Sequence, residues 1–206
     1  MGSRNSSNTS RCSSKDSRRI GRVVVIGTSG CGKTAFARRL ARVLVCPHVE
    51  LDELYWGPKW TPKAGDHFRR LVHAAVQGPR WVVDGNYSAV RGVVWPRATT
   101  VIWLNYGFAT VFARVLRRTV RRIIRREPLF AGNEESLKRS FLSRDSILLW
   151  MIRTFYDKRR RYGTLRASDA FANLDWLEFR TPAHADSFLR DMENRATAAA
   201  TSNAPL

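Results

Sequence analysis

The chain has 206 residues, is 44% hydrophobic, and sets 36 Lys and Arg against 17 Asp and Glu for a formal net charge of +19. That length fits one domain with loose ends, the apolar content excludes a disordered chain, and the charge points to anionic partners (nucleotide, polyphosphate, nucleic acid or acidic lipid) without choosing among them. Three cysteines without metal-type pairing fit a reducing cytoplasm better than a disulfide scaffold, and no apolar run is long enough to span a bilayer.

Residues 1–19, rich in Ser, Arg and Asn, lack the apolar core of a secretory signal and read as a disordered basic tail. They also satisfy the permissive N-myristoylation pattern, and their low acid content is that of a transit peptide; a flexible leader is the simpler reading. Residues 22–26, RVVVI, are a short β-branched run that predicts a buried parallel strand. The run leads into GTSGCGKT at 27–34, which satisfies G-x-x-x-x-G-K-[ST]. Residues 35–44 then place Phe36, Leu40, Val43 and Leu44 on one helical face.

Strand, loop and helix are the order that a phosphate loop needs. Gly27, Gly30 and Gly32 free the backbone to turn its N–H groups inward at the positive end of the helix. The nucleotide-binding candidates are therefore Gly27, Thr28, Ser29, Gly30, Cys31, Gly32, Lys33 and Thr34, and the chain is expected to bind a nucleoside triphosphate. Lys33 would reach the β- and γ-phosphates of ATP, and the Thr34 hydroxyl would bind Mg²⁺.

Pro47 stops the first helix, and 48–52 read as a second strand ending in the carboxylate of Asp52. Residues 53–65, with Tyr55, Trp56, Pro58, Trp60 and Pro62, are too irregular for a regular element. A helix is expected over 65–77, a third strand over 81–84 ending in Asp84, and a fourth over 100–104. A long helix over 108–126 pairs apolar residues every fourth position with arginines between them. Glu127-Pro128 ends it; a loop at 129–135, a once-broken helix over 136–162, a last strand over 174–179 and a closing helix from 182 to about 192 follow. The folded domain is thus expected over 20–192, with a second flexible tail over 193–206. Alternating strands and helices predict an α/β protein of the P-loop NTPase class, a five-stranded parallel sheet covered on both faces. Ligands in such sheets bind at the carboxyl ends of the strands, where Asp52, Asp84 and the loop fall.

Taken in order, GTSGCGKT, HVELDELYW, WVVDGNYS, ATTVIWLNY and the arginine-rich helix resemble the adenylate-kinase-like P-loop proteins of the DNA-topology-modulation (FlaR-like) group, over about residues 19–190. The wider class, nucleoside and nucleotide kinases, implies an acceptor-binding segment after strand two and an arginine-bearing helical lid. On that resemblance Asp52 stands where an acceptor hydroxyl is held, and a carboxylate there can orient it or take its proton. Asp84 resembles the Asp of the D-G-F-P-R segment, which helps to hold Mg²⁺ through water; as a plain Asp-Gly it could also only mark a turn. DGNYS departs from D-G-F-P-R in lacking the arginine that grips an acceptor phosphate, and Arg91 lies further on. Of the seven arginines between 114 and 126, Arg118 and Arg122 are the lid candidates, with Arg114 and Arg126 next, against a reading in which most form a solvated basic face. Arg180 occupies the place of an adenine contact.

Tyr55, Trp56 and Trp60 either stack on a planar acceptor or lid the core. The four histidines show no metal-ligand spacing, and no Ser/His/Asp or Cys/His arrangement stands out. The leading expectation is a cytoplasmic ATP-dependent kinase acting on a small acceptor: a nucleotide, a nucleoside or another small molecule. The alternative is a nucleic-acid-associated ATPase or regulator of DNA topology, using the arginine helix and Lys158-Arg159-Arg160-Arg161 on phosphates. A membrane-surface protein comes third.

Overall fold

The computed structural model describes residues 20–125 and 147–202. Five parallel strands run in the order β2-β3-β1-β4-β5. They are β1 (Arg22–Gly27), β2 (His48–Glu50), β3 (Trp81–Asp84), β4 (Thr100–Leu104) and β5 (Asp175–Phe179). The helices are α1 (Lys33–Val43), α2 (Leu51–Tyr55), α3 (Gly65–Ala75), α4 (Arg91–Val94), α5 (Phe108–Arg125), α6 (Ile147–Arg166) and α7 (Pro182–Ser202). The expected α/β sheet is the one observed.

The period of two along β1 divides the core. Val23 and Val25 pack with Leu40, Val115 and Phe155 on one face, while Val24 and Ile26 pack with Phe68, Val72 and Trp95 on the other. Helix α6 supplies Met151 and Phe155 to the first cluster and Tyr162 to the second. It therefore crosses from one face of the sheet to the other, and the residues between Phe155 and Tyr162 pass the phosphate loop.

Three expectations change. β2 ends at Glu50, not Asp52, and Asp52 lies in the first turn of α2. The pairing Glu50↔Asp84 closes the β2–β3 ladder, because Gly85 then turns away at φ +140° and leaves residue 51 without a partner. Leu51 is buried against that turn, and two acidic residues in the first helical turn suit the helix dipole. Residues 53–65 hold more order than expected: the end of α2, a single 3₁₀ turn at Pro58–Trp60 and a Trp56↔Pro62 bridge. Finally, α7 continues past the expected loosening at Glu193 as far as Ser202. Glu193 accepts from the Arg39 Nε and Nη2 of α1, both at 2.6 Å, and the alanines at 196 and 198–200 favour helix beyond it. The expected tail at 1–19, the loop at 129–135 and the helical stretch 136–146 lie outside the described residues.

Candidate active site

The loop that joins β1 to α1 is built around backbone rather than side chains. Gly30 has φ +82°, and a Cβ there would lie 1.9 Å from the Val115 methyl of α5. Gly32 has φ +98° and caps α1 without a side-chain hydrogen bond, so the first N–H groups of the helix are left for a ligand. A side chain at either glycine would strain or fill the cradle.

Three cations close on this loop, each resting on an oxygen of the loop itself. The Lys33 Nζ donates to the Thr28 carbonyl at 3.2 Å. The Arg114 Nη1 donates to the Cys31 carbonyl at 3.1 Å while the guanidinium lies 5.6 Å from the Tyr106 ring centroid. The Lys158 Nζ donates to the Ser29 Oγ at 3.2 Å. Burial and, after it, the charge of Lys33 pull Lys158 down to about 8, well below the usual lysine range. Cys31 is fully buried under the loop, and burial pushes its thiol up, which suits packing and not nucleophilic chemistry.

A second group of oxygens stands beside Thr34. Its Oγ1 lies 2.7 Å from the Asp84 Oδ2 and 3.3 Å from the Glu50 Oε1. The two carboxylates come from adjacent strands in register. His48 Nε2 holds the other Asp84 oxygen at 2.8 Å. Burial, then the charge of Asp84, raises Glu50 above the usual carboxylate range. A hydroxyl and two carboxylates form the donor set of a hard cation such as Mg²⁺. Among the described residues no cluster of three or more His, Cys, Asp or Glu forms a closed metal cage.

Across from these groups, Tyr87 donates to the Asp52 Oδ1 at 2.6 Å. Burial and the charge of Asp52 push the Tyr87 hydroxyl up, so it stays a donor. Among the described residues the second Asp52 oxygen receives no hydrogen bond. Asn86 donates to the Gly27 carbonyl at 2.7 Å and ties the segment after β3 to the loop. Tyr55 packs on Phe68 and Tyr87 with ring centroids 5.1 and 4.7 Å away, and Trp56 on Trp60 at 5.7 Å. Contact with the buried Phe68 makes Tyr55 part of the core's cover.

Lys33, Thr34 and Asp84 thus meet at one end of the sheet, with Asp52 beside them. Among the arginines of α5 it is Arg114 that touches the loop; Arg118 lies half-buried one turn further on. The Arg122 side chain and all of Arg126 lie outside the described residues. Arg180 is 78% exposed and bonds Glu178 at 3.0 Å. Glu50, His48, Tyr87 and Asn86 were not among the expected site residues, and Lys158 was expected only as a phosphate contact in the nucleic-acid alternative. The sequence did carry a signal for Lys158: Met151, Phe155 and Tyr162 mark the buried face of α6, and position 158 falls on it by helical spacing.

Among solved structures, the chain is similar to a gluconokinase from Sinorhizobium meliloti 1021, at 15% identity over 89% of this chain and 95% of that one, with a TM-score of 0.50. It also aligns with the shikimate kinase from Bacteroides thetaiotaomicron, at 16% identity over 84% of this chain and 96% of that one, with a TM-score of 0.47. The fold is that of the P-loop kinases. No protein-family model and no curated protein matches the sequence, so the likeness to the DNA-topology-modulation group rests on the quoted motifs alone.

Proposed function

We propose that this chain is a P-loop phosphotransferase that passes the γ-phosphoryl group of ATP to the hydroxyl of a small acceptor. The observation that carries the reading is the position of Lys158: it touches the loop through Ser29 and feels the charges of both Lys33 and Asp52. A cation shared by the phosphate cradle and a carboxylate marks where a transferring group and its acceptor would meet. The gluconokinase-like fold supports the reading at the level of a small-molecule kinase.

In this reading the backbone of 27–34 cradles the β- and γ-phosphates, and Lys33, Arg114 and Lys158 leave their loop oxygens for phosphate oxygens. Thr34, Asp84 and Glu50 would hold Mg²⁺, whose charge would offset that of the phosphates when bound. Tyr87 fixes Asp52 through one oxygen, and the other oxygen takes the acceptor hydroxyl proton. The acceptor oxygen then bonds to the γ-phosphorus as the bond from that phosphorus to the bridging oxygen breaks, and ADP leaves.

Nucleotide binding is tested by calorimetry with Lys33→Ala. Its Mg·ATP affinity is expected to fall roughly 10- to 100-fold, the worth of a charge-assisted hydrogen bond, with the fold intact. Equal affinity in the two proteins would sink the assignment. ADP release across a panel of hydroxylated acceptors then identifies the second substrate.

A further inference from the structure

Strand geometry puts His48 beside the candidate cation site. It lies two residues before Glu50 on β2, so the two side chains share a face, and their partners in register on β3 are Val82 and Asp84. Val82 packs in one cluster with Leu40 of α1, so this is the face that α1 covers. Thr34, in the first turn of α1, stands over the end of the ladder, where its Oγ1 meets Asp84 and Glu50. From two residues earlier on β2, His48 reaches Asp84 diagonally through its Nε2.

Asp84 is 2% exposed, and a carboxylate so buried needs donors on its oxygens. Each oxygen has one: Thr34 Oγ1 serves Oδ2 at 2.7 Å, and His48 Nε2 serves Oδ1 at 2.8 Å. A carboxylate only accepts, so the imidazole presents its Nε2–H, and with the His48 side chain 15% exposed little water competes for that contact. Anchored at both oxygens, the Asp84 carboxyl cannot turn about its last bond without breaking a hydrogen bond. The Thr34 hydroxyl gives its single proton to the nearer carboxylate and keeps its lone pairs for a cation. Control therefore runs from His48 to Asp84 to Thr34.

We propose that His48 is a positioning residue that makes the site selective for a small octahedral cation, because it locks Asp84 and through it the Thr34 hydroxyl. This rests on the Mg²⁺ site of the phosphotransferase reading and adds what sets the choice of cation. Mg²⁺ demands a near-octahedral shell at short distances, whereas Ca²⁺ accepts longer bonds and looser geometry. Donors that cannot spread suit the first ion. Without His48 the Asp84 carboxyl is free to turn, which harms the Mg²⁺ shell and leaves a Ca²⁺ shell nearly as good. Partners that orient a metal site from outside commonly set its affinity by about 10- to 100-fold.

The test titrates Mn²⁺, a spectroscopic stand-in for Mg²⁺, into the full-length protein with and without ADP. Free Mn²⁺ is read by electron paramagnetic resonance, and Mg²⁺ and Ca²⁺ are ranked as competitors. His48→Leu, similar in volume but without a donor, is expected to weaken Mn²⁺ and Mg²⁺ about tenfold or more and Ca²⁺ clearly less. Its affinity for metal-free ADP, by calorimetry, is expected to stay at the wild-type value. His48→Gln returns a donor within reach of Asp84 and is expected to recover most of the loss. Should His48→Leu not fold, His48→Val, a better strand former, gives the same comparison. The proposal is overturned if His48→Gln fares no better than the donor-free variant, if Mg²⁺ and Ca²⁺ weaken alike, or if metal-free ADP weakens in step. A wild type that holds no Mn²⁺ with or without ADP overturns it as well. Failure of the phosphotransferase reading is a separate result: a protein that binds no Mg·ATP loses that reading, while its Mn²⁺ titration without nucleotide still decides the role of His48.

Discussion

The two halves of the site are built in opposite ways. On the proposed phosphate half, eight consecutive residues at 27–34 form the loop, and Gly32 caps α1 without a side-chain hydrogen bond, so the donors it offers are backbone N–H groups. On the proposed acceptor half, Asp52 comes from α2 and Asn86 and Tyr87 from the segment between β3 and α4, and each contact starts from a side chain. A phosphate presents the same oxygens whatever molecule carries it, so a backbone nest can meet it without reference to the rest of the ligand. An acceptor varies, and a surface of separate side chains can change one residue at a time. The fold therefore couples a generic half to a particular one along the carboxyl edge of a single sheet.

The largest expected effect divides the halves. Asp52→Asn removes the proton acceptor and leaves the cradle alone, so transfer is expected to fall by about 10²- to 10⁴-fold with Mg·ATP affinity retained. Parallel loss of ATP binding, read by calorimetry, would move Asp52 to the phosphate half. A smaller effect is expected from Arg114→Ala, which takes one cation from the cradle. Turnover should drop by about 10- to 100-fold, with DNA affinity and its salt dependence little changed. The reverse result, unchanged turnover with weaker DNA binding, would favour the nucleic-acid alternative and break the comparison.

The smallest effect is a pH dependence that joins the halves through Lys158. Its value is lowered to about 8 in the folded protein, so the free protein loses this cation as the pH rises through that point. Mg·ATP affinity is expected to weaken by several-fold above pH 8, and binding there to take up protons, because phosphate favours the charged lysine. Stability runs the other way. A lysine lowered on folding disfavours the folded state while it is charged, so the nucleotide-free protein should gain stability from about pH 8 towards the ordinary lysine value of 10.5. Lys158→Arg, charged throughout, should flatten both the affinity profile and the thermal-melting profile; two unaltered profiles would show that another group titrates.

The generic half was nearly all legible in the sequence, because a loop made of its own backbone is written in consecutive letters. Gly27, Lys33 and Thr34 take their places from spacing alone, and β1 and α1 flank them as expected. The acceptor half was legible only in part. Asp52 and Asp84 stood out as carboxylates near strand ends, but the turn at Gly85 that stops β2 at Glu50 is a property of two neighbouring strands. Reading the strand on to residue 52 hid Glu50, which the shorter strand brings beside Thr34. The arginines of α5 recur at nearly equivalent helical spacings, so the sequence could not tell which one faces the loop; packing of Val115 against Gly30 selects Arg114. At the C-terminus, low complexity suggested a loose tail, whereas Arg39 on α1 anchors Glu193 and an alanine-rich turn carries the helix further.

The close seat of Val115 on Gly30 limits how this protein can be re-engineered. The loop's shape is fixed from outside by a residue more than eighty positions away in sequence, so the eight-residue motif is not a portable module. A graft of GTSGCGKT into another strand–helix junction would carry the letters without the brace. A chimera that exchanged α5 would disturb the loop even with every residue of the motif untouched. Any transplantable unit must carry α5 with β1, the loop and α1, and also β3, since Asp84 and Asn86 hold Thr34 and the Gly27 carbonyl; the arginine helix is thus part of the loop's own architecture and not an accessory to it.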